Sequence, residues 1–516
     1  MDITQPFEPS SLDSALPNGN LSQQEITGPD KGNGETGQVW DVGRYARQDM
    51  DRETTRYLSA ATQLNVDYAQ RVVGSVVGEP FRAVAPTYGA DVAVVARWAV
   101  DSVLRRSRRD MSLFATLTAG VVIAWLAPAW PVSIVAVIVA MFICAWVIVS
   151  LEYWKRTYRV VVGRMLKDNF VSQEAPEPSY DWVRKRIAAV SDRRRGNLIV
   201  FRGQSAFVGS GGRLSREHIV IDVSRGRKIK NGKPQKPQKF TNADVHCALL
   251  AAMRKIGFAD IHVEERLFVN GRHIKGSDTL LPHGEVAPPA SYVSPSLLKQ
   301  AVLHPTPDAR AYVCVEMPGW QGQLIVTLFA RAVHAGGSLY IEWEYHVLPP
   351  LGGEFLNIDL LYGTPLSKQM LGALIWGAVR FVPALFKAPF LVVRDLHRMI
   401  TVKRRSAFQK NAIEKGQEYD YGASESIRES ACGTSRQHYF LARDEIMYVL
   451  MSQQILVREV RAFLRKQDVS LGEFDIQVKA IKEETFKFYN IHLGNVSNSA
   501  VVIGDKSSAQ NKRTQP

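Results

Sequence analysis

Between Met111 and Leu151 the 516-residue chain has no Asp, Glu, Lys, Arg or His, a gap in charge that soluble cores rarely sustain. Cysteine is also scarce. Cys144, Cys247, Cys314 and Cys432 lie far apart with no CxxC pair, which excludes a disulfide framework and a zinc ribbon or finger and leaves them to be expected as buried thiols. No GxxxxGK[ST], G-x-S-x-G or HExxH occurs, so a Walker phosphate loop, a hydrolase nucleophile elbow and a zincin helix are all excluded. The N-terminus carries no Lys or Arg before Lys31 and no early apolar run, so no cleaved secretory signal is expected.

What fills the uncharged gap is MSLFATLTAGVVIAWLAPAWPVSIVAVIVAMFICAWVIVSL. About 20 apolar helical residues cross a hydrocarbon core of about 30 Å, so a run of this length suits two crossings. Proline lacks an amide donor and restricts the residue before it, so Pro128 and Pro131 place a turn at 127–131, between helices at 111–127 and 132–151. Arg105, Arg106, Arg108 and Arg109 precede the first helix, and Lys155, Arg156 and Arg159 follow the second. Cations gather on the cytoplasmic side of spans, so both flanks, and with them both termini, are expected in the cytoplasm of a multi-pass plasma-membrane protein. A buried helical pair in a soluble core and a single kinked crossing are the competing readings.

The remaining chain divides by composition. Residues 1–45 form a polar leader expected to be disordered, with six acids and one lysine among its first 40 residues. Residues 46–110 are a helical region before the membrane, with one helix at 54–77 and another at 90–108. In the second, Val92, Val95, Ala96, Ala99 and Val103 make an apolar stripe for a neighbour or for the lipid surface. A helical linker at 152–195 leads to an α+β domain at 196–355. There NLIVFRG, EHIVIDV, IHVEERLFV, ARAYVCVEM, QLIVTLFARAV and SLYIEWEYHVL read as strands of an antiparallel sheet. Its two helices start at caps Thr241 and Ser294, and Gly257 is expected to end the first. Residues 356–405 form an amphipathic segment, 406–485 a helical module with a long helix at 443–466, and 486–516 a polar tail with a short strand pair. The fold class is thus a membrane-anchored α+β protein: a two-helix transmembrane hairpin, a cytoplasmic α+β domain and a C-terminal helical module.

Chemistry-bearing residues are sparse. His246 and Cys247 are neighbours on a helix, where side chains diverge by about 100°, so they do not face each other as base and nucleophile. Glu264 with Glu265, and Glu342 with Glu344, are the nearest approach to paired carboxylates. The latter two share a strand face, which suits acid and base work and equally suits a solvated sheet. GQSAFVGSGGR at 203–213 is read as a flexible strand connection. No catalytic, metal or cofactor residue is assigned and no cofactor is expected.

Two segments point to anionic lipid. RGRKIKNGKPQKPQK holds Arg225, Arg227, Lys228, Lys230, Lys233, Lys236 and Lys239 without one acid, and clustered cations attract phosphates. An ordinary solvated loop explains it as well. The absence of interleaved aromatics disfavours nucleic acid. In QMLGALIWGAVRFVPALFKAPFLVVRDLHRM, Arg380, Lys387 and Arg394 recur every seven residues and so share one helix face, with apolar residues on the others. Such a segment suits the membrane interface better than a crossing or a buried core, and Pro383 and Pro389 are expected to kink or break it.

The two apolar segments, FRGQSAFVGSGG, VEERLFVNGRHI, GSLYIEWEYHVLPPL, FLRKQDVSLGEFDIQ and VSNSAVVIGDKSSA together resemble a group of uncharacterised actinobacterial two-pass membrane proteins over about residues 110–510. That resemblance implies the two-pass anchor and no activity. The function expected is therefore non-enzymatic: a membrane protein whose cytoplasmic domain binds a ligand or protein as scaffold, sensor or effector. Its expected partners are the anionic cytoplasmic leaflet and a protein or a second copy of the chain. The alternatives are a membrane-bound hydrolase or transferase with a site outside known motifs, raised by any cleft joining Glu342, Glu344 and a histidine, and a pore-forming effector.

Overall fold

The computed structural model describes residues 42–126, 131–191, 196–227, 235–258, 260–361, 365–423, 425–433 and 439–494. The expected leader up to Asp41, the turn at 127–130, Lys228, Lys230 and Lys233 of the basic loop, and the tail from 495 lie outside these residues. The fold is mixed: a six-stranded sheet with helices packed on it, and three helices long and apolar enough to cross a membrane.

Helix α1 (Val42–Leu64) and α2 (Val66–Val76) replace the single helix expected over 54–77. The break falls at Asn65, whose side-chain oxygen accepts the amides of Asp67 and Tyr68 at 3.0 and 3.1 Å and so caps the second helix. α3 (Val92–Leu126) starts under Asp91, which accepts the amides of Ala93 and Val94, and runs on without interruption into the apolar segment. Its stripe packs on a neighbour: Val95, Ala96 and Ala99 are buried in one cluster with Val72 and Val76 of α2. α4 (Pro131–Trp154) has proline in its first turn, where no amide partner is lost, and continues through π-helical turns into α5 (Gly163–Met165). α6 (Asp181–Ser191) follows, and its Arg186 donates to the carbonyls of Val76, Glu79 and Arg82 where α2 ends.

All six expected strands form: β1 (Leu198–Phe201), β2 (Gly212–Asp222), β3 (His262–Asn270), β4 (Ala309–Gly319), β5 (Leu324–Ala335) and β6 (Ser338–Leu348), in the order β1-β3-β4-β5-β6-β2. The sheet is not wholly antiparallel, because β1 pairs parallel with β3. Between them the chain passes through β2 and α7 (Asn242–Met253), the long crossover that a parallel pair needs. Thr241 caps α7 in a reciprocal box with Asp244, but the helix ends at Arg254 rather than at Gly257. α8 (Pro295–Leu303) is capped by Ser294 as expected. Gly336 and Gly337 turn the β5–β6 hairpin with positive φ.

After α9 (Gly353–Leu356), α10 (Leu366–Glu414) runs on as one helix through Pro383 and Pro389, so of the expected kink or break the break does not occur. The boundary drawn at 405 falls inside this one 49-residue element, roughly 70 Å long. Ala423, beyond it, exchanges backbone hydrogen bonds with Val200 and Arg202, covering the edge of β1. α11 (Tyr439–Lys466) and α12 (Gly472–Gly494) complete the helical layer. Along α11, Leu441, Val449, Leu456 and Leu464 are buried, while Met447 and Leu450 are exposed. Residues 490–494, read as the start of a strand pair, belong to α12.

The main core lies between the sheet and α7, α11 and α12, where Val313, Val315, Val326, Leu328, Ile341, Trp343 and Tyr345 meet Leu249, Leu456 and Phe474. α12 also closes the edge of β2: Gln477 bonds both the amide and the carbonyl of Val220, and Glu473 accepts the amide of Asp222. Glu217, on that edge strand, is partly buried. Burial pushes its carboxyl up to about 7 from 4.5, and the nearby charge of Glu484 adds to the rise. The folded form therefore holds its proton where the unfolded chain has lost it, so stability declines as pH rises from about 4.5 to about 7. Glu217→Gln is expected to raise the thermal midpoint at pH 8 and to leave it nearly unchanged at pH 4, as measured by circular dichroism in detergent.

α10 packs across the middle of α3 and the C-terminal half of α4. Trp146 donates to the Leu374 carbonyl at 3.0 Å, the rings of Tyr153 and Trp376 stack at 4.3 Å, and Phe142 meets Phe381 edge-on. Leu385 and Ala388 are buried in one cluster with Leu113, Ala145 and Val149. The closest approach is at Gly377, where an added Cβ would stand 1.9 Å from Ser150 Oγ and 3.0 Å from its Cβ. Gly377→Ala should cost about 1–3 kcal/mol by overpacking, and Ser150→Gly in the same chain should recover part of it, read as thermal unfolding of the detergent-solubilised protein.

Candidate functional site

Strand alternation places Tyr340, Glu342, Glu344 and His346 of β6 on the sheet face turned away from the main core. Register brings Arg216 of β2 opposite Glu344 and Arg331 of β5 opposite Glu342. Glu342 sits at the centre of a network. Tyr312 and Tyr340 each donate to it at 2.7 Å, Arg331 pairs with the same carboxylate, and Arg216 lies 3.7 Å away. Burial alone would push this carboxyl up. The hydrogen bond from Tyr312 and the charge of Arg331 outweigh it and hold the group below its ordinary value.

Beside this network a cleft of about 400 Å³ opens between the sheet face and the β1–β2 connection. Glu344, His346, Arg216, Arg310 and Tyr312 line one side, and Gln204 to Phe207 line the other. His346 Nε2 lies 2.9 Å from Glu344 Oε1 and its Nδ1 lies 3.3 Å from the Gly211 carbonyl. Both ring nitrogens thus face acceptors. Phe207 stacks on Phe329 at 4.2 Å and contacts the His346 ring, giving the cleft an aromatic floor beneath its arginines. The 203–213 connection is therefore a cleft wall. Gly209 and Gly211 have positive φ, and Glu429 accepts the Gly209 amide at 3.0 Å and holds the loop from behind.

The structure thus brings Glu342, Glu344 and a histidine together. Arg216, Arg310, Tyr312, His346 and Phe207 were not singled out from the sequence, although continuing the Glu342, Glu344 alternation by two residues reaches Tyr340 and His346. The other carboxylate pair is split across the sheet: Glu265 lies 2.7 Å from His246, while Glu264 pairs with Arg266 on the opposite face. Cys247 and Cys144 are exposed, not buried, and Cys432 is half-buried, which leaves Cys314 as the one fully buried thiol. For Cys247 the cause is its neighbour: His246 takes the inward position on α7. Among the described residues no group of three or more His, Cys, Asp and Glu is placed to hold a metal ion.

The basic residues separate. Arg225 pairs with Asp222 and Glu473, the Arg227 amide bonds the Asp468 carbonyl, and Lys236 and Lys239 lie nearby in sequence. This places the described flanks of the loop beside the β5–β6 turn, since Val223 bonds Gly337, at the far end of β6 from the α1–α3 region. Arg380, Lys387 and Arg394 lie along α10, the first two exposed and Arg394 paired with Asp395. Of the flanking cations, Arg105 pairs with Asp101, buried Arg106 donates to the Gln63 carbonyl, and Arg109 joins Asp110 to Glu152 across α3 and α4. Arg156 lies over Tyr153 and Trp376, while Arg108, Lys155 and Arg159 are exposed.

Fold and cleft together define a mixed α+β protein with three long apolar helices and an arginine-lined, aromatic-floored cleft on its sheet. Residues 216–504 match the AbeC-like domain, and the chain belongs to that family. No curated protein and no solved structure matches the chain significantly.

Tyr312 is buried with its hydroxyl on Glu342, so Tyr312→Phe removes one of the two donors to Glu342 Oε1 and leaves Arg331 as the other. The expected loss is about 1–3 kcal/mol in denaturant unfolding.

Proposed function

We propose that this protein is a two-pass integral membrane protein whose α+β domain lies in the cytoplasm and binds an anionic ligand in the cleft between Arg216, Arg310 and Phe207. α3 and α4 are the crossings. The observation that carries the reading is the apolar surface they expose: Val121, Val122, Ile123, Leu126, Val132, Val135, Val139, Ile143 and Val147 each keep 48% or more of their surface accessible, up to 74% at Val132. Water does not tolerate such a continuous surface, whereas lipid does. In this reading the charged ends joined by Arg109 and Glu152 mark the boundary, and the cations outside it support a cytoplasmic side for both termini.

α10 lies in the interface and does not cross. Supporting this, the chain just before it is tied to the domain through Asp359 on Arg56, and its far end through Arg405 on Glu79 and Lys275 on the Gly416 carbonyl. A crossing helix would deliver its ends to opposite sides. Arg380, Lys387 and Arg394 are then the lipid-facing cations nearest the anchor. The described flanks of the basic loop, at 225–227 and 235–239, start beside the β5–β6 turn, and we assign them to a protein partner or a second copy of the chain.

A binding role rather than catalysis is supported by the engagement of Glu342, whose carboxylate is met by Tyr312, Tyr340, Arg331 and Arg216. A hydrolase or transferase is the second reading, favoured by the proximity of Glu344 and His346. Two measurements test the proposal. Alkaline carbonate should leave the protein in the membrane pellet, and reporters at either end should remain inside the cell; release or external signal defeats the anchor. Isothermal titration of organic phosphates and carboxylates should give binding that Arg216→Ala weakens about tenfold or more, the loss of one charge-assisted contact. Turnover that His346→Gln abolishes would favour the enzyme instead.

A further inference from the structure

α10 carries three distinct stripes. Ala373, Gly377, Phe381, Leu385 and Ala388, at steps of three and four, turn toward α3 and α4. Arg380, Lys387, Arg394, Arg398 and Arg405, at steps of seven or four, form a second stripe, and Arg405 at its end reaches Glu79 of the domain at 3.1 Å. Ile375, Val379, Val382, Phe386, Phe390 and Val393 form a third, which is exposed.

Beyond Val393 this exposed side changes character. Helical geometry sets Leu396, Met399, Ile400, Lys403 and Lys410 on the side opposite Arg405, and hence away from the domain. Leu396, Met399 and Ile400 are 57%, 54% and 41% exposed, which a water-facing helix side has no reason to be. From 396 to 413 the chain holds Arg398, Lys403, Arg404, Arg405 and Lys410 and no acid. About two to three turns before this stretch, Leu385 and Ala388 pack on Leu113, where the apolar part of α3 begins.

We propose that the C-terminal third of α10, from Leu396 to Lys410, binds the anionic headgroups of the membrane surface, with Leu396, Met399 and Ile400 inserted among the acyl chains and Lys403, Arg404 and Lys410 on the phosphates. This rests on the membrane reading above and adds residues to it. Apolar side chains seat such a helix in any bilayer, and the cations make its seating depend on lipid charge and on salt.

The test uses the full chain reconstituted in nanodiscs of phosphatidylcholine alone or with phosphatidylglycerol, followed by amide hydrogen exchange. Residues 396–410 are expected to exchange about tenfold more slowly with the anionic lipid, and added salt should erase the difference. Lys403→Glu, Arg404→Glu and Lys410→Glu together should also erase it, while exchange in β4 and β5 stays unchanged as the control for folding. Should the triple variant misfold, the three Gln substitutions should reduce the difference in the same direction. Equal protection in both lipids, or full anionic protection in the charge-reversed chain, overturns the proposal while leaving the anchor standing. A protein that enters neither nanodisc overturns both.

Discussion

The contact of α10 with α3 and α4 is what couples the apolar helices to the sheet. Gly377 lets the helix approach Ser150 closely, and Leu385 and Ala388 fill the seam beside Leu113 and Val149. Small residues at such a crossing allow backbones to come near and dispersion contacts to accumulate. Because the segment after α10 supplies Ala423 to the edge of β1, movement of the helix would be felt at the sheet.

A second tie joins the helical region to the sheet from the other side. Arg266 of β3 is buried against Glu316 and donates to the hydroxyl of Tyr88, in the connection leading to α3. Removing one partner of such a buried set leaves a charge without compensation, so the network fixes one arrangement of the two parts. The cleft lies on this same sheet face, and its position relative to α3 and α4 is therefore set by side chains distant from it in sequence.

The six strands, the two caps and the apolar helices were legible because each depends on local chemistry. Alternation, a Ser or Thr before a helix, and a run without charge are properties of short windows. The parallel pairing of β1, the passage of α10 through two prolines and the exposure of Cys247 were not. Each depends on what packs alongside: a crossover strand, a seam of small and apolar side chains, and a histidine already occupying the inward position.

The same division holds for the candidate site. Sequence alone determined that Glu342 and Glu344 share a face, because a strand's side chains alternate whatever it pairs with. It also determined where apolar surface is concentrated. Only the tertiary structure decided that Arg216, Tyr312 and Arg331 meet those carboxylates and that a glycine-rich connection becomes the opposing wall, since register and loop closure join residues from 11 to more than 100 positions apart.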